Sequence, residues 1–143
     1  MTVAQILRQK GHHVHSVRVD TPLMDALKLL AKHRIGAILV LDDDDNIAGV
    51  LSERDVARGL PEKGAALLKE NVSALMTRDI ITASSEMTIA EVMNLMTERR
   101  IRHLPVVDNG KLNGMITIGD VVKSKIAQSE HEAEALKAYI ATG

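Results

Sequence analysis

Two short segments pair a hydroxyl with a carboxylate three residues on: Ser52-Glu53-Arg54-Asp55 and Thr117-Ile118-Gly119-Asp120. At a helix start this spacing makes a cap, with the hydroxyl at the N-cap and the acid at N3, near the positive end of the helix dipole. A carboxylate held that way can also accept two charge-assisted hydrogen bonds from neighbouring hydroxyls, such as those of a ribose. The free amides of the same helix end favour a phosphate. The two readings are compatible, since a cap can present a ligand. Arg54 is either a phosphate donor or a solvated surface arginine. A basic run, Glu98-Arg99-Arg100-Ile101-Arg102-His103, leads into an apolar segment. Arg99 and Arg100 suit the negative end of a helix. Arg102 and His103 stand where a strand begins, so one of them must face inward. Guanidinium beside imidazole suits a phosphate.

Other chemistries lack parts. His12, His13 and His15 could suggest a metal, but no cysteine or partner histidine completes a ligand set, so a polar turn is the simpler account. Asp42, Asp44, Asn46 and Glu53 fall at ligand positions of an EF-hand loop, yet Ile47 stands where that loop needs glycine and both flanks read as strand. A solvated hairpin is expected there. Neither glycine-rich phosphate loop is present, nor a Gly-x-Ser-x-Gly elbow or a cysteine nucleophile, so no catalytic residue is assigned and no enzyme is expected. Without cysteine, disulfides are excluded, which fits a reducing compartment and leads to an expectation of a cytoplasmic protein. The apolar runs are too short and interrupted to span a bilayer, and the N-terminus lacks a secretory signal's apolar region. A net charge of −1 and a single aromatic residue, Tyr139, argue against nucleic acid.

The elements that must position these residues form one unit that the chain contains twice. Residues 21–42 align without a gap on residues 87–108, and GVLSERDV (49–56) aligns on GMITIGDV (114–121). Eight of these thirty positions are identical and seven more exchange Leu, Ile, Met and Val, which identifies two copies of one unit. Upstream, Val3, Ile6 and Leu7 resemble Val72, Leu75 and Met76. Each copy reads as a short strand (14–19 or 80–83), then a helix with apolar residues at helical spacing (Leu23, Ala26, Leu27, Leu30; Ile89, Val92, Met93, Met96). Thr21-Pro22 signals the start of the first helix and Thr88 with Glu91 that of the second. Two strands joined by a polar hairpin turn come next (35–41 and 47–51; 101–107 and 112–116), and a second helix begins near Asp55 or Asp120. Residues 62–75 read as a partly helical connection, and residues from 129 as an acidic, then apolar, surface helix.

The order β-α-β-β-α, twice, gives an α/β (α+β) fold in which two small units share a core. It resembles the cystathionine-beta-synthase (CBS) domain pair, or Bateman module. The likeness rests on GVLSERDV, GMITIGDV and the RIRHLPVVD segment, each at its place in a duplicated unit. The expected organisation is one repeat over residues 1–70, a second over 71–128 and a tail helix over 129–143, packed with pseudo-two-fold symmetry. The resemblance implies adenine-nucleotide binding, with AMP, ADP, ATP or NAD(H) as ligand, no required cofactor, and Asp55 and Asp120 gripping ribose. It further implies that Ser52 and Asp55 share a cleft with Ile80, Ile81, Ile101, Arg102 and His103, and Thr117 and Asp120 with Val14, His15, Gly36 and Ala37. Because Gly36 and Ala37 replace the Arg-His pair, the two clefts are expected to be unequal, basic around Asp55 and less charged around Asp120. The implied function is that of a regulatory sensor acting on a separate partner protein, as a homodimer built through helices. The alternative is an interaction module with vestigial clefts.

Overall fold

The computed structural model describes residues 1–142. In chain order the elements are α1 (Val3–Lys10), β1 (Ser16–Arg18), α2 (Leu23–His33), β2 (Ala37–Leu41), β3 (Ile47–Ser52), α3 (Glu53–Lys63), α4 (Ile89–Arg99), β4 (His103–Asp108), β5 (Lys111–Thr117) and α5 (Ile118–Thr142). Two short 3₁₀ turns, Gly64–Lys69 and Val72–Ala74, stand between α3 and α4. Residues 129–142 continue α5 rather than forming a helix of their own. The tail's last residue, Gly143, lies outside the described residues.

The chain folds as two compact units. One is Val14–Ile80; the other joins Met1–His13 to the chain from Ile81 onward. These packing units cut the chain differently from repeats at 1–70 and 71–128, because each repeat's leading segment packs with the elements of the other repeat. In the first unit β1 runs parallel to β2, and β2 antiparallel to β3. Its core is Leu23, Ala26 and Leu30 of α2 against Ile38, Val40 and Leu51 of the sheet, closed by Leu67, Val72 and Met76. The second unit repeats this with Ile89, Val92 and Met96 of α4 against Leu104, Val106 and Ile116, closed by Val3, Ile6 and Leu7 of α1.

The leading segments are fastened alike. Leu23 N–H donates to the Glu70 carbonyl (2.8 Å) and Val72 N–H to that of Thr21 (2.9 Å). Ile89 N–H donates to the Met1 carbonyl (3.0 Å) and Val3 N–H to that of Met87 (2.9 Å). Each pair satisfies an amide that a helix start would otherwise leave orphaned. This matters most for α2, whose N-cap is Pro22 and provides no side-chain cap. Thr88 and Glu91 cap α4 in both directions, as their spacing predicts.

A glycine admits each leading segment. A Cβ on Gly114 would stand 2.7 Å from Leu7 Cδ2, and one on Gly49 would stand 2.8 Å from both Met76 Sδ and the Thr77 carbonyl oxygen. These are the first residues of the two aligned strand segments, so the glycine is kept for close approach rather than for unusual backbone angles.

One expected element is shortened. The second copy's first strand is reduced to a parallel bridge between Ala83 and Val106. In the first copy Leu39 N–H donates to the His15 carbonyl (3.2 Å), extending the ladder below Val17. The residue equivalent to Leu39 is Pro105, which has no N–H to offer Ile81, so the ladder stops.

Both hairpins form. Asn109 and Gly110 take positive φ (51° and 77°) in the tight turn between β4 and β5. In the longer turn, the Asp42 carboxylate accepts from the amides of Asp44 (2.9 Å) and Asn46 (3.0 Å), while Arg18 pairs with Asp45 at 2.7 Å. The Asp42 carboxylate is thus committed to its own turn. Asp108 joins the second hairpin to the 84–85 loop: it accepts from the Ser85 hydroxyl, the Ser85 amide (2.9 Å) and Asn113 Nδ2 (2.8 Å). The Ser85 hydroxyl, then its amide, then Asn113 hold the Asp108 carboxyl below an aspartate's ordinary 3.8, against a small opposing effect of desolvation.

These contacts make stability testable at two places. A depressed folded-state pKa contributes stability that is present above the unfolded value and lost as pH falls through the folded one. The melting-temperature gap between wild type and Asp108→Asn should therefore be open at neutral pH and close as the buffer is acidified past about pH 3.8. A gap that is constant with pH contradicts this role. Gly→Ala in a strand ordinarily gains from reduced unfolded-state entropy. Here Gly49→Ala should instead cost about 1–3 kcal/mol in urea unfolding, because the Thr77 carbonyl cannot step aside. Gly114→Ala should cost less, because the Leu7 side chain can rotate.

Candidate functional site

The two hydroxyl–carboxylate corners have nearly the same geometry. At the end of β3, Ser52 has extended backbone angles and caps α3. Its Oγ accepts from the Asp55 amide (3.2 Å), while Asp55 Oδ2 accepts from the Ser52 amide (2.9 Å). At the end of β5, Thr117 Oγ1 accepts from the Asp120 amide (3.2 Å), and Asp120 Oδ2 accepts from the Thr117 amide (3.0 Å). All four residues are half-buried, so the carboxylates are held by the backbone while remaining reachable from solvent. Reciprocal capping fixes their orientation and contributes roughly 0.5–2 kcal/mol per corner.

What else touches the two acids differs. Thr77 Oγ1 donates to Asp55 Oδ1 (3.2 Å). Thr77 is itself fixed by a pair of backbone bonds with Val50, at 2.8 and 3.0 Å. Asp120 is met by an ammonium group: Lys10 Nζ, at the end of α1, lies 2.7 Å from Oδ2 and also donates to the Met115 carbonyl (2.8 Å). Neither Thr77 nor Lys10 was identified from sequence. The signal available was position: each is the first polar side chain able to reach back after the apolar face of a leading segment ends, at Met76 and Leu7.

The strand entrances lie beside the corner of their own unit. In the first unit Ala37 is the register partner of Ser52, and Glu53 N–H donates to the Gly36 carbonyl (2.9 Å). His15, half-buried like Val14, stacks its ring on His33 with centroids 3.9 Å apart. Arg54 points into solvent and Ile80 is half-buried. In the second unit His103 is the register partner of Thr117, and Ile118 N–H donates to the Arg102 carbonyl (2.9 Å). Ile81 and Ile101 lie half-buried against that unit's core. Arg102 is exposed and His103 half-buried. Within this unit, then, the backbone sets Arg102 and His103 beside Thr117 and Lys10 meets Asp120, whereas the corner at Asp55 has Gly36, Ala37 and Thr77 beside it. Arg102 and His103 thus stand in the unit of Asp120, not in that of Asp55.

The remaining signals resolve locally. Arg99 ends α4 and Arg100 takes the left-handed cap position at φ 54°. Arg34 does the same after α2. His12 Nδ1 donates to the Asn113 carbonyl (2.8 Å). Among the described residues no group of three or more His, Cys, Asp or Glu side chains could hold a metal ion, and no helix is long and apolar enough to cross a membrane.

Comparison with known proteins agrees with the duplicated unit. The CBS domain family model matches residues 3–62 and 72–126. The mitochondrial CBS domain-containing protein CBSX3 of Arabidopsis thaliana is 31% identical over 150 residues, covering 99% of this chain and 73% of that protein. Inosine-5'-monophosphate dehydrogenase of Aquifex aeolicus is 36% identical over 112 residues, but the match spans only 22% of that enzyme. Among solved structures, a CBS-domain containing protein from Agrobacterium tumefaciens superposes with a TM-score of 0.85 at 39% identity, covering 87% of this chain and 92% of that one. CBSX2, solved in complex with AMP, superposes with a TM-score of 0.73 at 30% identity, covering 90% and 98%. With both copies matched and the fold shared, the chain belongs to the CBS-domain family.

Proposed function

We propose that the chain is a regulatory module that binds an adenine nucleotide, one of AMP, ADP, ATP or NAD(H), and signals its presence to a separate protein. The observation that carries this reading is the repeated corner: two carboxylates, each held by its own helix cap and each half-open to solvent. Such an acid suits vicinal ribose hydroxyls, and the adjoining amides suit phosphate. A relative 30% identical, CBSX2, has been solved with AMP, which supports the ligand class. Ser52 and Asp55 serve one binding event, Thr117 and Asp120 another. Contact with the purine is assigned to Ile80, Ile81 and Ile101 and to the backbone at Val14, His15, Gly36 and Ala37. Phosphate is assigned to Arg102 and His103, with Arg54 as a further donor. No catalytic residue is assigned, and the chain is read as a sensor in a reducing compartment such as the cytoplasm that pairs with a second copy of itself.

The corners are read as unequal. A ribose at Asp55 competes with a neutral hydroxyl, whereas a ribose at Asp120 competes with the Lys10 ammonium. The latter observation also favours the alternative, an interaction module whose carboxylates serve only structure.

Calorimetry and thermal shift with AMP, ADP, ATP and NADH separate the two. A ligand at 100 times its dissociation constant should add about 2.7 kcal/mol to folded stability. Asp55→Ala should remove one binding event and Asp120→Ala another. No stabilisation by any nucleotide at millimolar concentration rejects the sensor reading and leaves the interaction module. A double-mutant cycle of Lys10→Met with Asp120→Asn, without ligand, should return a coupling of about 0.2–1 kcal/mol for this partly exposed pair. Additive effects would mean that Lys10 does not engage the corner.

A further inference from the structure

Beyond its first two turns the long helix α5 is exposed on every side, and it carries an apolar stripe. Its first turns pack on α4 through Val121, which is fully buried. Ile118, Val122, Ile126, Leu136 and Ile140 are exposed, Leu136 by 59% and Ile140 by 68%. At 3.6 residues per turn, Ile118, Val122, Ser129, Leu136 and Ile140 fall within about 40° of one another around the helix. Ile118, Ser129 and Ile140 are spaced at eleven-residue intervals. Eleven residues make close to three turns, so the stripe runs almost straight along the helix instead of winding around it.

Centred on Ser129, the stripe reads almost the same in both directions. Ile118 mirrors Ile140 and Val122 mirrors Leu136. Its two flanks behave likewise. On one side lie Lys125 and Glu132, on the other Ile126 and Ala133. When two such helices pack antiparallel about a two-fold axis, like flanks meet. Lys125 then comes within about 1.5 Å, along the axis, of the level of Glu132 of the partner subunit, and Ile126 equally close to the level of Ala133 of the partner subunit. Each charge pair occurs twice by symmetry. A parallel two-fold pair would instead set the flank of Lys125 and Glu132 against that of Ile126 and Ala133, so only the antiparallel arrangement pairs the charges.

We propose that the partner for this face is α5 of a second copy of the chain, packed antiparallel with its two-fold axis at Ser129. This rests on the reading that the chain pairs with itself and adds the surface, the direction and the register. Val121, beside the stripe, is buried in the core of its own unit. Val122 remains exposed and belongs to the stripe.

Sedimentation equilibrium of the full chain tests this by charge exchange. Lys125→Glu and Glu132→Lys should each weaken the dimer by about tenfold or more, since each turns two attractions into two repulsions. The double exchange should restore the affinity to within a few-fold of wild type. Because the chain has no cysteine, a single introduced thiol reports distance. Ser129→Cys should form a disulfide-linked dimer on mild oxidation, whereas Ala127→Cys, about half a turn away, should not. A dimer whose affinity ignores both single exchanges, with no Ser129→Cys cross-link, overturns the α5 surface while leaving self-association standing. A chain that is monomeric at every concentration, with no cross-link, overturns both.

Discussion

The structure depends on the close approach of a leading segment to a strand that has given up its side chain. Leu7 lies over Gly114, and Met76 over Gly49. A β-α-β-β-α unit of this size leaves one edge of its core open, and each copy closes that edge chiefly with residues from outside its own repeat. Residues 1–10 complete the core of one unit and residues 70–77 that of the other. The hydrogen bonds repeat with the packing: Leu23 to Glu70 and Ile89 to Met1 are the same bond made twice. Docking a leading segment also fixes the polar residue just beyond its apolar face. Thr77 comes directly after Met76 and reaches Asp55; Lys10 comes one helical turn after Leu7 and reaches Asp120. The apolar contact thereby decides which group faces each carboxylate.

The arrangement that caps each helix would also serve the proposed ligand. In water an aspartate side chain samples several rotamers, and a ligand must bear the entropy of choosing one. At Ser52 and Thr117 that choice is already made by the reciprocal bonds between cap and acid. Preorganisation of this kind raises affinity by lowering its cost, with no new contact needed. The same bonds also set a limit. Oδ2 of each acid is shared with a backbone amide, so a ribose must bond to the remaining lone pairs or displace the second partner. Displacing a threonine hydroxyl costs one neutral hydrogen bond; displacing an ammonium costs a charge-assisted one. The two copies differ in the group that faces the acid.

Much of this was legible in the residues. Self-alignment revealed the duplication, the Asn109-Gly110 turn and the capping pair Thr88 and Glu91 declared themselves, and the two corners fell at strand-to-helix junctions as their spacing required. The parts that were not legible share a cause: they depend on which distant segment fills a space. Nothing local to Val3, Ile6 and Leu7 says that they pack beside the second repeat's elements. Pro105 carried a readable warning, since a strand expected at Ile80 to Ala83 needs an N–H from the position that Pro105 occupies. The apolar residues after Ser129 read as a separate tail because the eleven-residue spacing linking them to Ile118 crosses the expected boundary. Lys10 and Thr77 escaped because their role exists only once the leading segments are docked.

Divergence between the copies has spared the frame and altered its polar edges. The core positions exchange one aliphatic residue for another, Leu23 for Ile89 or Leu51 for Ile116, and each unit stays closed to water. Beside the corners the exchanges change charge: Gly36 and Ala37 stand where Arg102 and His103 do. A core tolerates such aliphatic swaps only while total volume is kept, so selection there is for filling. A half-exposed rim is free of that constraint and can differ at little cost in stability. The two rims should therefore be the part of the molecule where the copies acquire separate roles.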